Sequence, residues 1–166
     1  SYWNSFQLPI KIVRPFNIYG PRQSSRAVIP SIIIQALNNK KEIKLGNIKP
    51  SRDFTYVSDT CNAFLEILKI KSFFGDTLNV GTNNEYTIED IAKKILKKLN
   101  SKAKIRKEKQ RTRSAKSEVV RLVCDNTKIL KKTNWKPKIK FDKGLDKTIN
   151  WYKNFKFLFE HDIYHI

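Results

Sequence analysis

The residues best suited to holding a polar small molecule fall in one run, Arg14-Pro-Phe-Asn-Ile-Tyr-Gly-Pro-Arg22. Asn17 offers both donor and acceptor groups, and Pro15 and Pro21 stiffen the loop that presents it. The β-branched residues from Ile10 to Arg14 predict a strand that stops at Pro15, so its carboxyl end opens into this loop. Open α/β sheets take their ligands just beyond the carboxyl ends of strands. An ordinary Pro/Gly/Asn turn is the other reading of these residues, and their chemistry alone does not choose between the two.

Other chemistries find less support. Cys61 and Cys124 have no C-x-x-C or His/Cys spacing, which predicts two reduced thiols and neither a metal site nor a disulfide framework. The five glycines form no G-x-x-G-x-x-G turn, so a pyrophosphate cradle is not encoded. A net charge of +19, from 34 Lys and Arg against 15 Asp and Glu, invites a nucleic-acid reading. Most of the excess is lysine, however, and no helix-turn-helix, zinc or aromatic-strand signature accompanies it. A lysine-rich solvated surface is the expectation. With no secretory signal and no apolar run near the ~20 residues of a membrane span, a soluble cytoplasmic protein is expected.

The surrounding elements read as alternating strands and helices. After a loop from Pro15 to Arg26, apolar spacing predicts a helix over Val28 to Leu37, ended by Asn38-Asn39. Glu42 to Leu45 and Arg52 to Val57 predict a small hairpin or strand pair. Ser58-Asp59 is expected to cap a helix whose Ala63, Phe64, Ile67 and Leu68 form a core stripe. Thr77 to Val80 predicts a strand. Thr87-Ile-Glu-Asp90 reads as a capping box for a helix over Ile88 to Leu99, with Lys93-Lys94 and Lys97-Lys98 on its wet face. Lys102 to Arg106 alternates as a strand does, and Lys107 to Glu118 is expected to be a surface loop. Asp125-Asn126 starts a short helix broken at Trp135-Lys-Pro137, and a last helix is predicted over Asp142 to Phe155. This alternation argues for an α/β or α+β fold.

The Arg14 to Arg22 run resembles the strand-to-loop motif of extended short-chain dehydrogenase/reductases, in the NAD-dependent epimerase/dehydratase group. The same order of segments continues through Ser25-Arg-Ala-Val-Ile-Pro30, Glu42-Ile-Lys-Leu-Gly46, Pro50-Ser-Arg-Asp-Phe-Thr-Tyr-Val-Ser-Asp59, Leu78-Asn-Val-Gly81, Ser117-Glu-Val-Val-Arg-Leu122, Cys124-Asp-Asn126 and Trp135-Lys-Pro137. Within the group the wording is most similar to bacterial sugar-nucleotide 4,6-dehydratases of the legionaminic-acid type. The resemblance implies an α/β fold: the C-terminal portion of a Rossmann-type enzyme with its smaller α+β substrate-binding domain, the N-terminal dinucleotide-binding core being absent. Residues 1–25 would end the Rossmann core and 26–166 would be mainly substrate-binding domain, with 56–82 returning to the core.

The resemblance also implies roles. Pro15, Phe16, Asn17 and Tyr19 would pass close to the nicotinamide end of NAD, with Asn17 also reaching the substrate. Ala27 and Val28 would line a sugar-diphosphate channel, and Ile43, Lys44 and Leu45 would read the nucleotide base through main-chain groups. Arg52 and Arg113 would clamp the diphosphate, a task that suits a guanidinium fork. Ser117 and Glu118 fit the pattern, although a cap or surface pair explains them equally. The family's catalytic Y-x-x-x-K pair is not expected on this chain, since neither Tyr2 nor Tyr19 has lysine four positions later, and Ser1 to Phe6 resembles the tail of the helix that carries it. The implied parent protein is a homodimer that acts on a nucleotide-diphosphate sugar with NAD and no metal. A stand-alone sugar-nucleotide-binding domain and a basic nucleic-acid-binding module are the alternatives.

Overall fold

Each apolar stretch with a helical period becomes a helix, and most of the β-branched runs become strands. The computed structural model describes residues 2–108 and 118–159. Strand β1 (Ile12–Pro15) runs parallel to β6 (Thr77–Val80), with Ile12 opposite Thr77. Strand β2 (Asn17–Tyr19) runs parallel to β5 (Phe54–Tyr56), and β3 (Glu42–Leu45) parallel to β8 (Lys104–Lys107). The fourth group centres on β4 (Ser51–Arg52), flanked by antiparallel β7 (Tyr86–Thr87) and parallel β9 (Arg121–Leu122). Parallel partners need long crossovers. Helices α2 (Val28–Leu37), α3 (Val57–Lys69) and α4 (Ile88–Lys98) supply them. The remaining α-helices are α1 (Tyr2–Phe6), α5 (Thr127–Lys132) and α6 (Phe141–Asn154).

The larger apolar core is built from α2, α4 and α6, through residues such as Ile32, Ile33, Ile91, Ile95, Leu145 and Ile149. A smaller core joins α3 to β1 and β6 through Ala63, Ile67, Leu78 and Val80, closed by Ile129 and Trp135.

Several local expectations hold. Helix α2 has the predicted bounds, and Thr87 makes a full capping box, accepting from Asp90 N at 3.0 Å while Thr87 N donates to Asp90 Oδ2. The α4 lysines are less idle than predicted, because Lys94 and Lys98 reach Asp142 and Asp146 on α6.

Others are corrected. The Pro15 to Arg26 loop contains β2, because Asn17 to Tyr19 finds a partner in β5. The expected hairpin does not form, since β3 and β5 each pair with another strand. Ser58-Asp59 is not the cap of α3. Its N-cap is Tyr56, and the Asp59 carboxylate instead accepts from Lys138 N and Ile139 N. The α3 stripe is only half core, with Ala63 and Ile67 buried but Phe64 43% and Leu68 75% exposed. Among the described residues β1 pairs only with β6, and Leu8, Ile10 and Ile12 are exposed.

Candidate functional site

The carboxyl end of β1 leads directly into β2, and the β2–β5 pairing sets Asn17 beside Phe54. The Asn17 amide donates to the main-chain carbonyl of Asp53 at 3.0 Å. From here a groove of about 570 Å³ extends past the start of α2 to the turn after β3, within the usual size range of small-molecule sites. Asn17, Ile18 and Gln23, then Ala27, Val28 and Ser31, and Lys44 to Asn47 line it. Arg52 and Phe54 line it as well.

Specific contacts hold several of these residues. Gln23 donates from Nε2 to Ile18 O at 2.7 Å, and its main-chain carbonyl accepts from Tyr152 Oη at 2.6 Å. The Arg52 guanidinium is tethered by Nη1 to Ser51 O at 2.8 Å. Asn47 donates to Glu118 Oε2 at 2.7 Å and accepts from Lys49 N, so two distant segments meet at the rim. Arg26, Lys44 and Arg52 face one acidic side chain, Glu118. Lys44 is partly neutralised by Glu108 at 3.3 Å, and the groove still favours a polyanion. The start of α2 adds the N–H groups of Val28 and Ile29, Pro30 having none, and the positive end of its dipole.

Of the residues singled out from sequence, Asn17, Ala27, Val28, Lys44, Leu45 and Arg52 line this groove. Pro15 and Phe16 stand at the strand end, where Phe16 N donates to Val80 O. The Tyr19 side chain is buried, with its hydroxyl donating to Phe141 O at 2.9 Å. The side chain of Ile43 is core. Arg113 and Ser117 lie outside the described residues. Gln35 is a contributor that sequence reasoning missed. Its carboxamide accepts from Lys44 N at 2.8 Å and donates to Lys44 O at 3.2 Å, so both main-chain groups of Lys44 are already engaged.

One sequence expectation needs correction. Tyr152-Lys-Asn-Phe-Lys156 does carry the Y-x-x-x-K spacing. It is not a tyrosinate site: Tyr152 is fully buried at the end of α6, its proton is donated to Gln23 O, and desolvation pushes its pKa up to about 12. A catalytic base needs the opposite shift. Burial, with Asp53 and Asp125 nearby, likewise pushes the Cys124 thiol up to about 12, which suits an inert thiol. Among the described residues, no group of three potential ligands could hold a metal ion and no helix is long and apolar enough to cross a membrane.

Residues 1–148 match the family model described as GDP-mannose 4,6 dehydratase. The chain is 33% identical over 156 residues to a dTDP-D-glucose 4,6-dehydratase of Homo sapiens, covering 92% of this chain and 44% of that protein. It superposes on the NAD complex of dTDP-glucose 4,6-dehydratase from Bacillus anthracis with a TM-score of 0.83 and 31% identity, covering 92% of this chain and 47% of that one. A UDP-glucuronic acid 4-epimerase from Bacillus cereus, in complex with UDP-glucuronic acid and NAD, gives 0.84 at 27% identity, covering 93% and 48%. The chain thus spans about half the length of the relatives it matches.

Proposed function

The chain belongs to the GDP-mannose 4,6-dehydratase family of NAD-dependent epimerases and dehydratases, with the α/β fold of the C-terminal half of an extended short-chain dehydrogenase/reductase, and we propose that it is the sugar-nucleotide-binding part of such an enzyme. The observation that carries this is the groove itself: Arg52, Arg26 and the start of α2 face a cavity that begins at Asn17. A diphosphate suits the guanidinium and N–H donors in the middle. A sugar hydroxyl suits Asn17 at one end, and a nucleoside fits toward Lys44 and Asn47 at the other.

NAD fits this chain only at an edge. Its glycines, at 20, 46, 75, 81 and 144, include no three at G-x-x-G-x-x-G spacing, since Leu78 stands between Gly75 and Gly81, and Pro15 to Tyr19 are the residues that would approach the nicotinamide. NAD would supply hydride transfer at C4 of the bound sugar in the intact enzyme, a cytoplasmic homodimeric 4,6-dehydratase or 4-epimerase in this reading. What this chain contributes is charge neutralisation and orientation, which hold the reacting carbon in place. In this proposal residues 1–25 and about 56–82 form the edge of the cofactor-binding sheet, and the rest forms mainly the substrate domain. The exposed Phe64 and Leu68 face of α3 is where the other half of such an enzyme would pack.

Calorimetric titration of this chain with UDP-, GDP- and dTDP-hexoses tests the reading. Saturable heat with at least one of them is expected, and flat heats with all would overturn it. The isolated chain is also expected to form no 4-keto sugar in the presence of NAD, and NAD-dependent turnover would contradict the assignment of the reacting groups to another half.

A further inference from the structure

We infer that Asp53 is a positioning residue that sets Asn17 and Arg52 in the groove. This rests on the reading of the groove as a sugar-nucleotide site. Asp53 has no solvent exposure. Its Oδ1 accepts from Thr82 Oγ1 at 2.6 Å and Thr82 N at 3.0 Å, and its Oδ2 from Asn83 N at 2.8 Å, Thr82 N at 3.0 Å and Cys124 N at 3.3 Å. Four donors from two distant segments therefore meet one carboxylate. Its main chain is equally committed, with N donating to Leu122 O and O accepting from Asn17 Nδ2, each at 3.0 Å.

The consequence is geometric. Thr82 and Asn83 follow the carboxyl end of β6, Cys124 follows β9, and Asn17 opens β2. One residue thus ties the β1–β6 pair to the sheet that carries Arg52 and to the strand that carries Asn17. The joint is also closely packed, since a Cβ on Gly81 would lie 2.2 Å from Cys124 Cβ and 2.9 Å from Asp53 Oδ2. Rotation of Asp53 would move Arg52, its neighbour in sequence, and the carbonyl that orients the Asn17 amide. Asp53 does not line the groove and touches no ligand in this account. It acts through those two residues, in the manner of an outer partner that fixes the orientation of contacting groups.

The experiment compares Asp53→Asn with Asp59→Asn and Thr82→Val in this chain. Asp59 is a second buried carboxylate with main-chain donors, at the junction of α3 with the segment before α6, so it controls for loss of structure alone. At a temperature where each variant is folded by circular dichroism, affinity for the best-binding hexose nucleotide of the UDP, GDP and dTDP panel is expected to fall about tenfold or more in Asp53→Asn, a loss of about 1.4 kcal/mol. It is expected to fall less in Thr82→Val and to stay unchanged in Asp59→Asn. The side-chain amide resonances of Asn17, assigned through their absence in Asn17→Ala, are expected to shift in the first two variants only. Equal affinity losses in Asp53→Asn and Asp59→Asn, or unmoved Asn17 resonances, would overturn the positioning role. Should Asp53→Asn not fold, Thr82→Val decides by the same two readouts, since it removes one hydroxyl donor and keeps every N–H. If the unsubstituted chain binds none of the nucleotides, the sugar-nucleotide reading fails, and the Asn17 resonances alone decide whether Asp53 sets that side chain.

Discussion

Gly144 on α6 lies directly against Tyr19 on β2, where a Cβ would fall 2.2 Å from the phenolic oxygen and 2.9 Å from the adjacent ring carbon. That oxygen cannot retreat freely, because its proton is donated to Phe141 O and the ring is wedged among Phe54, Tyr56 and Phe141. The contact seats α6 against the β2–β5 pair that begins at Asn17.

Gly144→Ala therefore sets two effects in opposition. Alanine gains up to about 1 kcal/mol in helix propensity, while overpacking a filled core costs about 1–3 kcal/mol or more. The contact is so close that overpacking wins, and a net loss of about 2 kcal/mol is expected. A melting temperature lower by roughly 4–8 °C would register it, whereas an unchanged or raised value would show that Tyr19 yields easily.

Alkaline stability should report the same core. Burial raises the Tyr19 pKa well above the ordinary phenol value, with the neighbouring Tyr86 and Tyr56 adding to it. Desolvation alone pushes Tyr152 up to about 12. Both groups keep their protons in the folded state at a pH where the unfolded chain releases them. Their contribution is complete below the unfolded phenol pKa near 10 and is lost as pH rises through the folded values. The melting temperature is expected to fall steadily above about pH 10. Absorbance at 295 nm should show the phenolates of these two residues appearing together with unfolding, and their ionisation in a still-folded chain would contradict the burial argument.

Phe64 and Leu68 occupy one face of α3 and remain 43% and 75% exposed. Replacing both with serine is expected to change stability by no more than about 0.5 kcal/mol per site and to reduce self-association of the isolated chain, because it breaks an exposed apolar patch. Light scattering and thermal melts would check this together. A drop of many degrees in melting temperature would place these side chains in the core after all.

Much of this was legible in the sequence where the signal is local. The apolar period of Val28 to Leu37 fixes α2, and Thr87 with Asp90 fixes the start of α4. Partners distant in sequence were not legible. Asn17 to Tyr19 has the composition of a turn and becomes a strand only because Phe54 to Tyr56 arrives alongside it. Asp59 has the composition of a cap but serves amides some 80 residues away. In the site, Arg52 was reached through the family resemblance, with its guanidinium chemistry in support, whereas Asp53 and Gln35 were not singled out. A buried carboxylate or carboxamide shows its role only through donors and acceptors that the fold brings to it. The helical spacing of Phe64 and Leu68 reads as a core stripe, but in this chain no described element covers them.

The central claim is that the Arg52 groove holds the diphosphate of a sugar nucleotide. The most direct test is the affinity of this chain, with and without Arg52→Ala, for the best-binding UDP-, GDP- or dTDP-hexose. A charge-assisted hydrogen bond contributes about 1.5–3 kcal/mol, so the substitution is expected to weaken binding by roughly tenfold to a hundredfold. Unchanged affinity in Arg52→Ala would contradict the account.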